Sequence, residues 1–329
     1  MSTPNKWFPP PTMFSFPFYY ASLSSLTVFY RVPAQPLRAR LKNTTLEPAG
    51  FGARGEGVIS LEFQNYTDHL GSGQAPGNPG VGTCNEVEFN ILAYPKRWKE
   101  EGRVPDISFE DFIIGQEQTK TIGAYRVQVP ADNLVAVKAG ADEFGEQKFF
   151  TMFNYSVPSD NAPTQPATSW TYTVLDPQYA EELKNGTAQP TTPVPPSGII
   201  YTLEADLAGL VPVIGNPSPI TLLSTLPANP GPCAAPNFSL VGDPKCADRR
   251  RPVLPTDVLV ASNWNIRGDY LTYFPGAKKL KVSVKPGKSQ DPMAQALADL
   301  LPTGATPAAA RVYQTPPAAT ESRPYIVNV

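Results

Sequence analysis

Histidine is almost absent from this chain: His69 is the only one in 329 residues. A metal cluster built on histidines is thereby excluded. Ser-His-Asp or Cys-His catalysis would rest wholly on that imidazole, in a stretch, Tyr66 to Gly71, that reads as a loop. Cysteine is scarce as well. Cys84, Cys233 and Cys246 are too few for a disulfide framework. Cys233 and Cys246 either pair in an oxidising setting or stay free thiols in a proline-rich loop. An excess of one charge is also missing, since 27 Lys and Arg face 29 Asp and Glu for a net −2. That balance gives no basic face for nucleic acid. The run Arg249–Arg251 lies between prolines and acidic residues and reads as a solvated loop. No apolar run approaches the length of a membrane-spanning helix. The segment Met1 to Pro11 lacks the apolar core of a signal peptide, so the expectation is a cytoplasmic protein without a membrane partner. On that expectation the Asn-X-Ser/Thr sequons at Asn43, Asn65, Asn154, Asn185 and Asn237 are chance matches.

What the chain has in abundance is proline, 39 residues spread along its length. Helices of ordinary length rarely tolerate that density. Short apolar or alternating runs recur instead, among them Leu26–Val32, Gly57–Phe63, Glu86–Ala93, Tyr125–Val129, Ser169–Val174, Ile199–Glu204 and Leu280–Val284. Gly, Pro, Asn and Asp clusters separate them. Many short strands with turn chemistry between them predict a mainly β fold with few helices, a sandwich or barrel. Three short helices are predicted: Pro36–Lys42, a segment after Asp176 with Pro177 at its first position, and Pro292–Leu301 capped by Asp291. Residues 71–82, 187–197 and 227–255 read as Pro/Gly-rich insertions. No internal repeat occurs and no linker separates two cores, so residues 1–329 are read as a single domain.

The segment Asn133–Phe150 concentrates the chemistry. Asn133–Val137 has the pattern of a buried strand, broken at Gly140-Ala141. Asp142, Glu143, Glu146 and Lys148 then stand among apolar residues, where ionisable groups are costly unless paired or used. A lysine there can have its pKa lowered by desolvation and serve as an amine nucleophile. The alternative is an ordinary strand end with solvated charges.

Four separated blocks, in order, resemble the acetoacetate decarboxylase superfamily. Val28–Pro48 resembles the family's opening strand, short helix and turn. Gly82–Pro95 is similar to the strand whose glutamate faces the cavity, a position that falls on Glu86. Ala141–Lys148 resembles the loop leading to the lysine strand, with its glutamate on Glu143. Gly276–Ser283 through Pro307–Tyr313 is similar to the closing strands and helix. The resemblance implies a closed antiparallel β-barrel around an apolar internal cavity, a lysine that forms a Schiff base in decarboxylating members, and homo-oligomers in many. It implies no cofactor or metal.

The departures from that pattern shape the functional expectation. Counting from Glu143, the lysine position falls on Phe149 and the preceding proline position on Lys148. Lys148 enters the cavity only if the loop is one residue shorter, because a slip of one residue reverses the face. Asp142 stands where the family has arginine, and the arginine expected near Leu23 is missing. The expected site is therefore Glu86, Glu143 and Lys148 for catalysis, with Arg31, Phe89, Tyr94 and Phe149 contacting substrate. The expected substrate is a small molecule of ketone or enone type, with a polyketide-like or terpenoid guest among the candidates. The chemistry would be decarboxylation, dehydration, aldol cleavage or cyclisation, with the two carboxylates as acid and base. The alternative is a non-catalytic barrel that binds an apolar metabolite.

Overall fold

The computed structural model describes residues 14, 16–53, 55–69, 82–158, 168–190, 193–216, 218–227, 233, 243–266, 268–276, 278–302, 304–315, 319–321 and 324–327. Among them the α-helices are short, the longest having nine residues, and strands dominate. Strand β1 (Phe18–Pro33) opens the chain, followed by α1 (Ala34–Leu41), β2 (Leu46–Pro48), β3 (Glu56–His69) and β4 (Gly82–Pro95). Next come α2 (Lys96–Glu100), α3 (Phe109–Ile113), β5 (Gly123–Ala131), α4 (Leu134–Ala139), a π-helical turn at Gly140–Phe144, and β6 (Lys148–Phe150). The second half holds β7 (Phe153–Ser156), β8 (Ser169–Leu175), α5 (Pro177–Lys184), β9 (Ile199–Asp206), β10 (Val213–Gly215) and β11 (Ile220–Leu226). It closes with β12 (Val258–Ile266), β13 (Tyr270–Tyr273), β14 (Lys281–Pro286), α6 (Pro292–Leu300), β15 (Ala309–Thr315), β16 (Ala319–Glu321) and β17 (Tyr325–Ile326).

The long strands make one thirteen-stranded sheet. β1 pairs antiparallel with β3 along its length, and β3 pairs likewise with β4. β4 continues to β5, β5 to β11 in parallel, and β11 to β12. β16 pairs with both β12 and β1. A second sheet, in the order β14-β9-β8-β7, lies outside β3, where Phe63 meets Tyr172 at 5.3 Å and Tyr201 at 6.0 Å between ring centroids.

Neighbouring strands share an unusual division of faces. On β4, Val87, Phe89 and Ile91 alternate with Glu86, Glu88 and Asn90, and all six are buried. On β3, Leu61 and Phe63 alternate with Ser60, Glu62 and Gln64, again all buried. Successive side chains point to opposite sides of a strand. On β3 the apolar set therefore packs against the second sheet, and the polar set is turned to the opposite face.

Local chemistry explains the helices. Asp176 accepts from the N–H of Gln178 and Tyr179 ahead of α5, and Asp291 accepts from Met293 ahead of α6, as the sequence predicts for N-caps followed by proline. The short helix at the end of β1 is also present, as α1. One expectation fails: Asn133–Val137 is not a strand. Asn133 accepts from the N–H of Val135 and Ala136 and so starts α4. An apolar run of this length serves a buried helix as readily as a strand, and the cap decides between them. His69 is the last residue of β3, opposite Tyr19, and not part of a loop. The predicted insertion at 71–82 lies outside the described residues except Gly82, which opens β4. Residues 187–197, where described, are largely irregular. In the third insertion Cys233 and Cys246 are joined by a disulfide; Asn237 lies outside the described residues.

Candidate active site

The interior-facing polar residues converge where β3, β4 and β5 meet β6. Lys148 is the first residue of β6, and its Nζ lies 2.8 Å from Glu86 Oε2 and 3.1 Å from Glu146 Oε2. Tyr66 donates its hydroxyl to the same Glu86 oxygen at 2.8 Å. Arg126, from β5, bridges Glu146 and Glu88, approaching Glu88 Oε1 at 2.5 Å. Gln64 donates to Glu88 Oε1 at 3.1 Å and Asn90 to Glu88 Oε2 at 3.3 Å. All of these side chains are buried. Three carboxylates thus share two cations in a water-poor interior, and such a cluster is stable only if its members satisfy one another.

The geometry has a local cause. α4 passes into the π turn, and Gly145 follows with φ of 75°, a left-handed conformation that favours glycine. This turn brings Glu146 and Lys148 inward together. Lys148 N donates to Glu146 O at 2.8 Å, so the two are held as a tight local unit. Phe149 consequently points the other way and lies beneath the Arg250 guanidinium, 3.7 Å from its ring centroid. Gly140 lies against the cluster. A Cβ there would stand 2.6 Å from Lys148 Cδ and closer still to Glu146 Oε2.

Burial pushes the carboxyl of Glu88 up to about 7, with nearby Glu62 and Glu86 acting in the same direction and Arg126 opposing them. Burial thus favours the protonated form of Glu88 relative to an ordinary carboxyl. The hollow among these groups is about 30 Å³, room for one or two waters. Phe18, Tyr20, Phe144 and Trp264 wall its apolar side. It is small and polar on the Lys148 side, where the sequence predicted an apolar cavity.

Of the predicted residues, the structure brings Glu86 and Lys148 together. Glu143 sits on the π turn, partly buried, and is not among the residues around the hollow; Glu146 occupies the place expected of it. Phe89 is on the opposite face of β4 from Glu86, Tyr94 lies at the far end of that strand opposite Glu47, and Phe149 faces Arg250. Arg31 pairs with Glu56 at 3.7 Å and lies over Phe109. None of these four reaches the hollow. Sequence reasoning missed Glu88, Arg126, Tyr66 and Gln64. The available signal was the polar alternation Glu86, Glu88, Asn90 beside Ser60, Glu62, Gln64 on two runs rich in β-formers. Among the described residues no group of three or more His, Cys, Asp or Glu could hold a metal, and no helix is long and apolar enough to cross a membrane.

Comparison with solved structures places this arrangement in a known fold. The enduracididine biosynthesis enzyme MppR complexed with pyruvate superposes with a TM-score of 0.57 at 14% identity, covering 98% of this chain and 92% of that one. MppR complexed with the condensation product of pyruvate and imidazole 4-carboxaldehyde gives 0.56 at 13%, over 96% and 90%. An acetoacetate decarboxylase-like enzyme from Sphingomonas wittichii RW1 gives 0.54 at 13%, over 100% and 99%. The chain has the fold of acetoacetate decarboxylase-like enzymes. No known family profile and no curated protein matches its sequence.

Proposed function

We propose that this protein is a lyase-type enzyme in which Lys148 adds to the carbonyl of a small ketone or 2-oxo acid. The observation that carries the reading is the placement of Lys148 Nζ between Glu86 and Glu146. An ammonium must lose a proton before its nitrogen can attack, and each carboxylate is placed to take it. Attack gives a carbinolamine. Loss of its hydroxyl as water, with a proton returned by the carboxylic acid, gives an iminium. The iminium draws electrons from the adjacent carbon, so that carbon can release a proton, a carboxyl group as CO2, or an aldehyde. Glu88, poised near neutrality beside Arg126, serves as a proton reserve. Arg126 supplies the fixed positive charge for a substrate carboxylate, a counter-ion the sequence reading had found missing. MppR, which shares the fold, is known in complex with pyruvate and with a pyruvate condensation product, which supports a small oxo acid. The small hollow speaks against a polyketide or terpenoid guest.

The reading includes one domain spanning the chain and an interior enclosed as a barrel, which the pairing of β16 with both β12 and β1 supports. It includes a homo-oligomer as well, for which the exposed edge strand β10, with Val213 and Ile214 outward, is the proposed contact. The disulfide favours an oxidising compartment over the cytoplasm the sequence suggested.

Deuterium exchange tests the function. The protein should exchange the methyl protons of pyruvate or acetone in D2O, followed by NMR, and Lys148→Ala should stop it. Exchange at the same rate in the variant would remove the amine from the mechanism.

A further inference from the structure

The hollow beside Lys148 holds one or two waters, and pyruvate is several times larger than a water molecule. A substrate therefore reaches Lys148 only if part of the wall moves. Much of the wall is locked. Glu86, Glu146, Arg126 and Glu88 are tied to Lys148 or to one another by buried ion pairs, and parting such a pair strands a buried charge. Gly140 closes the same side, where even a Cβ would stand 2.6 Å from Lys148 Cδ. Tyr20 meets Trp264 at 5.6 Å and Tyr66 at 5.2 Å between ring centroids, and Tyr66 is itself bonded to Glu86.

Phe18 and Phe144 are held differently. Both line the hollow, and their rings meet edge to face at 5.5 Å. Phe16 covers the pair from outside. It stacks on Phe18 at 4.7 Å with an interplanar angle of 7° and stands edge-on to Phe144 at 5.7 Å. Phe16 is only partly buried and precedes β1, so its backbone lies outside the strand ladder. Outward from the hollow there is thus one layer of two rings, and then a ring in contact with solvent. Turning these side chains breaks ring contacts but no ion pair or side-chain hydrogen bond.

We propose that Phe16, Phe18 and Phe144 form the size-selecting entrance to Lys148. The rings part for a small planar guest and hold back a longer or bulkier one. That the guest is an oxo acid rests on the lyase reading; the route to the amine does not.

Reductive alkylation with cyanoborohydride reads the route without any turnover. An aldehyde condenses with the lysine amine, its oxygen leaves as water, and hydride from the reagent reduces the imine to a stable amine. Formaldehyde and benzaldehyde are the small and large probes. Labelling of Lys148 is measured by mass spectrometry relative to the exposed Lys281 in the same molecule. In the native protein formaldehyde should label Lys148 and benzaldehyde should not. Phe16→Ala and Phe18→Ala should each raise benzaldehyde labelling of Lys148 about tenfold, the effect of losing one or two ring contacts. Phe16→Ala alters a partly exposed ring and is the variant that retains the fold most securely. Phe112→Ala, which removes a ring from the separate Phe51–Phe112 pair, should leave Lys148 unchanged and so controls for general loosening. In proton exchange, Phe18→Ala should shift the kcat/KM ratio of 2-oxohexanoate to pyruvate about tenfold toward the longer acid. Native Lys148 labelled equally by both aldehydes, no rise in either entrance variant, or an equal rise in Phe112→Ala would each overturn the proposal. Labelling that follows the rings while no pyruvate proton exchanges would uphold the entrance and reject the lyase reading.

Discussion

Lys148 and Glu86, 62 residues apart in sequence, meet at 2.8 Å inside the sheet, and Tyr66 donates to the same carboxylate oxygen. Glu86 is thus held from two sides, so its orientation does not depend on substrate. A base fixed in this way loses little freedom when the reaction begins.

Replacing that base isolates its contribution. Glu86→Gln keeps the shape and removes the proton acceptor, so turnover of a small oxo acid should fall about 100-fold or more, as for loss of a general base. Glu146→Gln should cause a smaller loss, because Glu86 remains. Steady-state kinetics on the two variants check the order; equal, small effects would mean that neither carboxylate moves the proton.

Glu88 gives stability a pH dependence of definite sign. Its folded-state pKa of about 7 lies above the ordinary value of 4.5, so between those values the folded protein binds more protons than the unfolded one. Stability therefore falls as pH rises from about 4.5 to about 7 and levels off above, by on the order of 3 kcal/mol from this group. Denaturant melts across that window should show this slope in the native protein and lose it in Glu88→Gln. An unchanged slope in the variant would assign it elsewhere.

Gly140 has no room for a methyl group beside Lys148. Gly140→Ala must displace the ammonium or the π turn, at a cost of about 1–3 kcal/mol, and activity should fall at least tenfold. Gly276, with open space around it, is the control: Gly276→Ala should change neither activity nor melting temperature.

The disulfide bears on the same strand. Cys246 precedes Ala247, whose carbonyl accepts from Phe150 N at 2.7 Å, and Arg249 N donates to Lys148 O at 2.9 Å. On the other arm, the Cys233 carbonyl accepts from the buried Lys138 at 3.0 Å, and Lys138 also pairs with Asp142 on the π turn. Cys246→Ser should cost about 2–4 kcal/mol and reduce activity below the melting range. Full activity after verified reduction would show that the bridge is irrelevant to the site.

Much of the fold was legible because proline spacing, turn clusters and helix caps act locally. The site was legible only in part, because its register depends on one turn. Gly145 and the π helix decide that Glu146 and Lys148 share a face, and a count forward from Glu143 carries no information about that inserted geometry. The same count put Phe149 in the lysine's place, whereas its ring covers Arg250. Of the inward-facing ladder, Glu86 was expected at the cavity from the resemblance, whereas Glu88 and Asn90 were passed over for a different reason. Polar alternation normally marks the solvent face of a strand, and only the packing of Phe63 and its neighbours under the second sheet reverses that reading here.

The central claim is that Lys148 is the nucleophile, and covalent capture tests it most directly. The protein should be incubated with pyruvate, reduced with borohydride, digested and sequenced by mass spectrometry. The account predicts a stable adduct on Lys148, absent in Lys148→Ala and without borohydride. An adduct confined to surface lysines, or none at all under conditions where pyruvate methyl protons exchange, would contradict it.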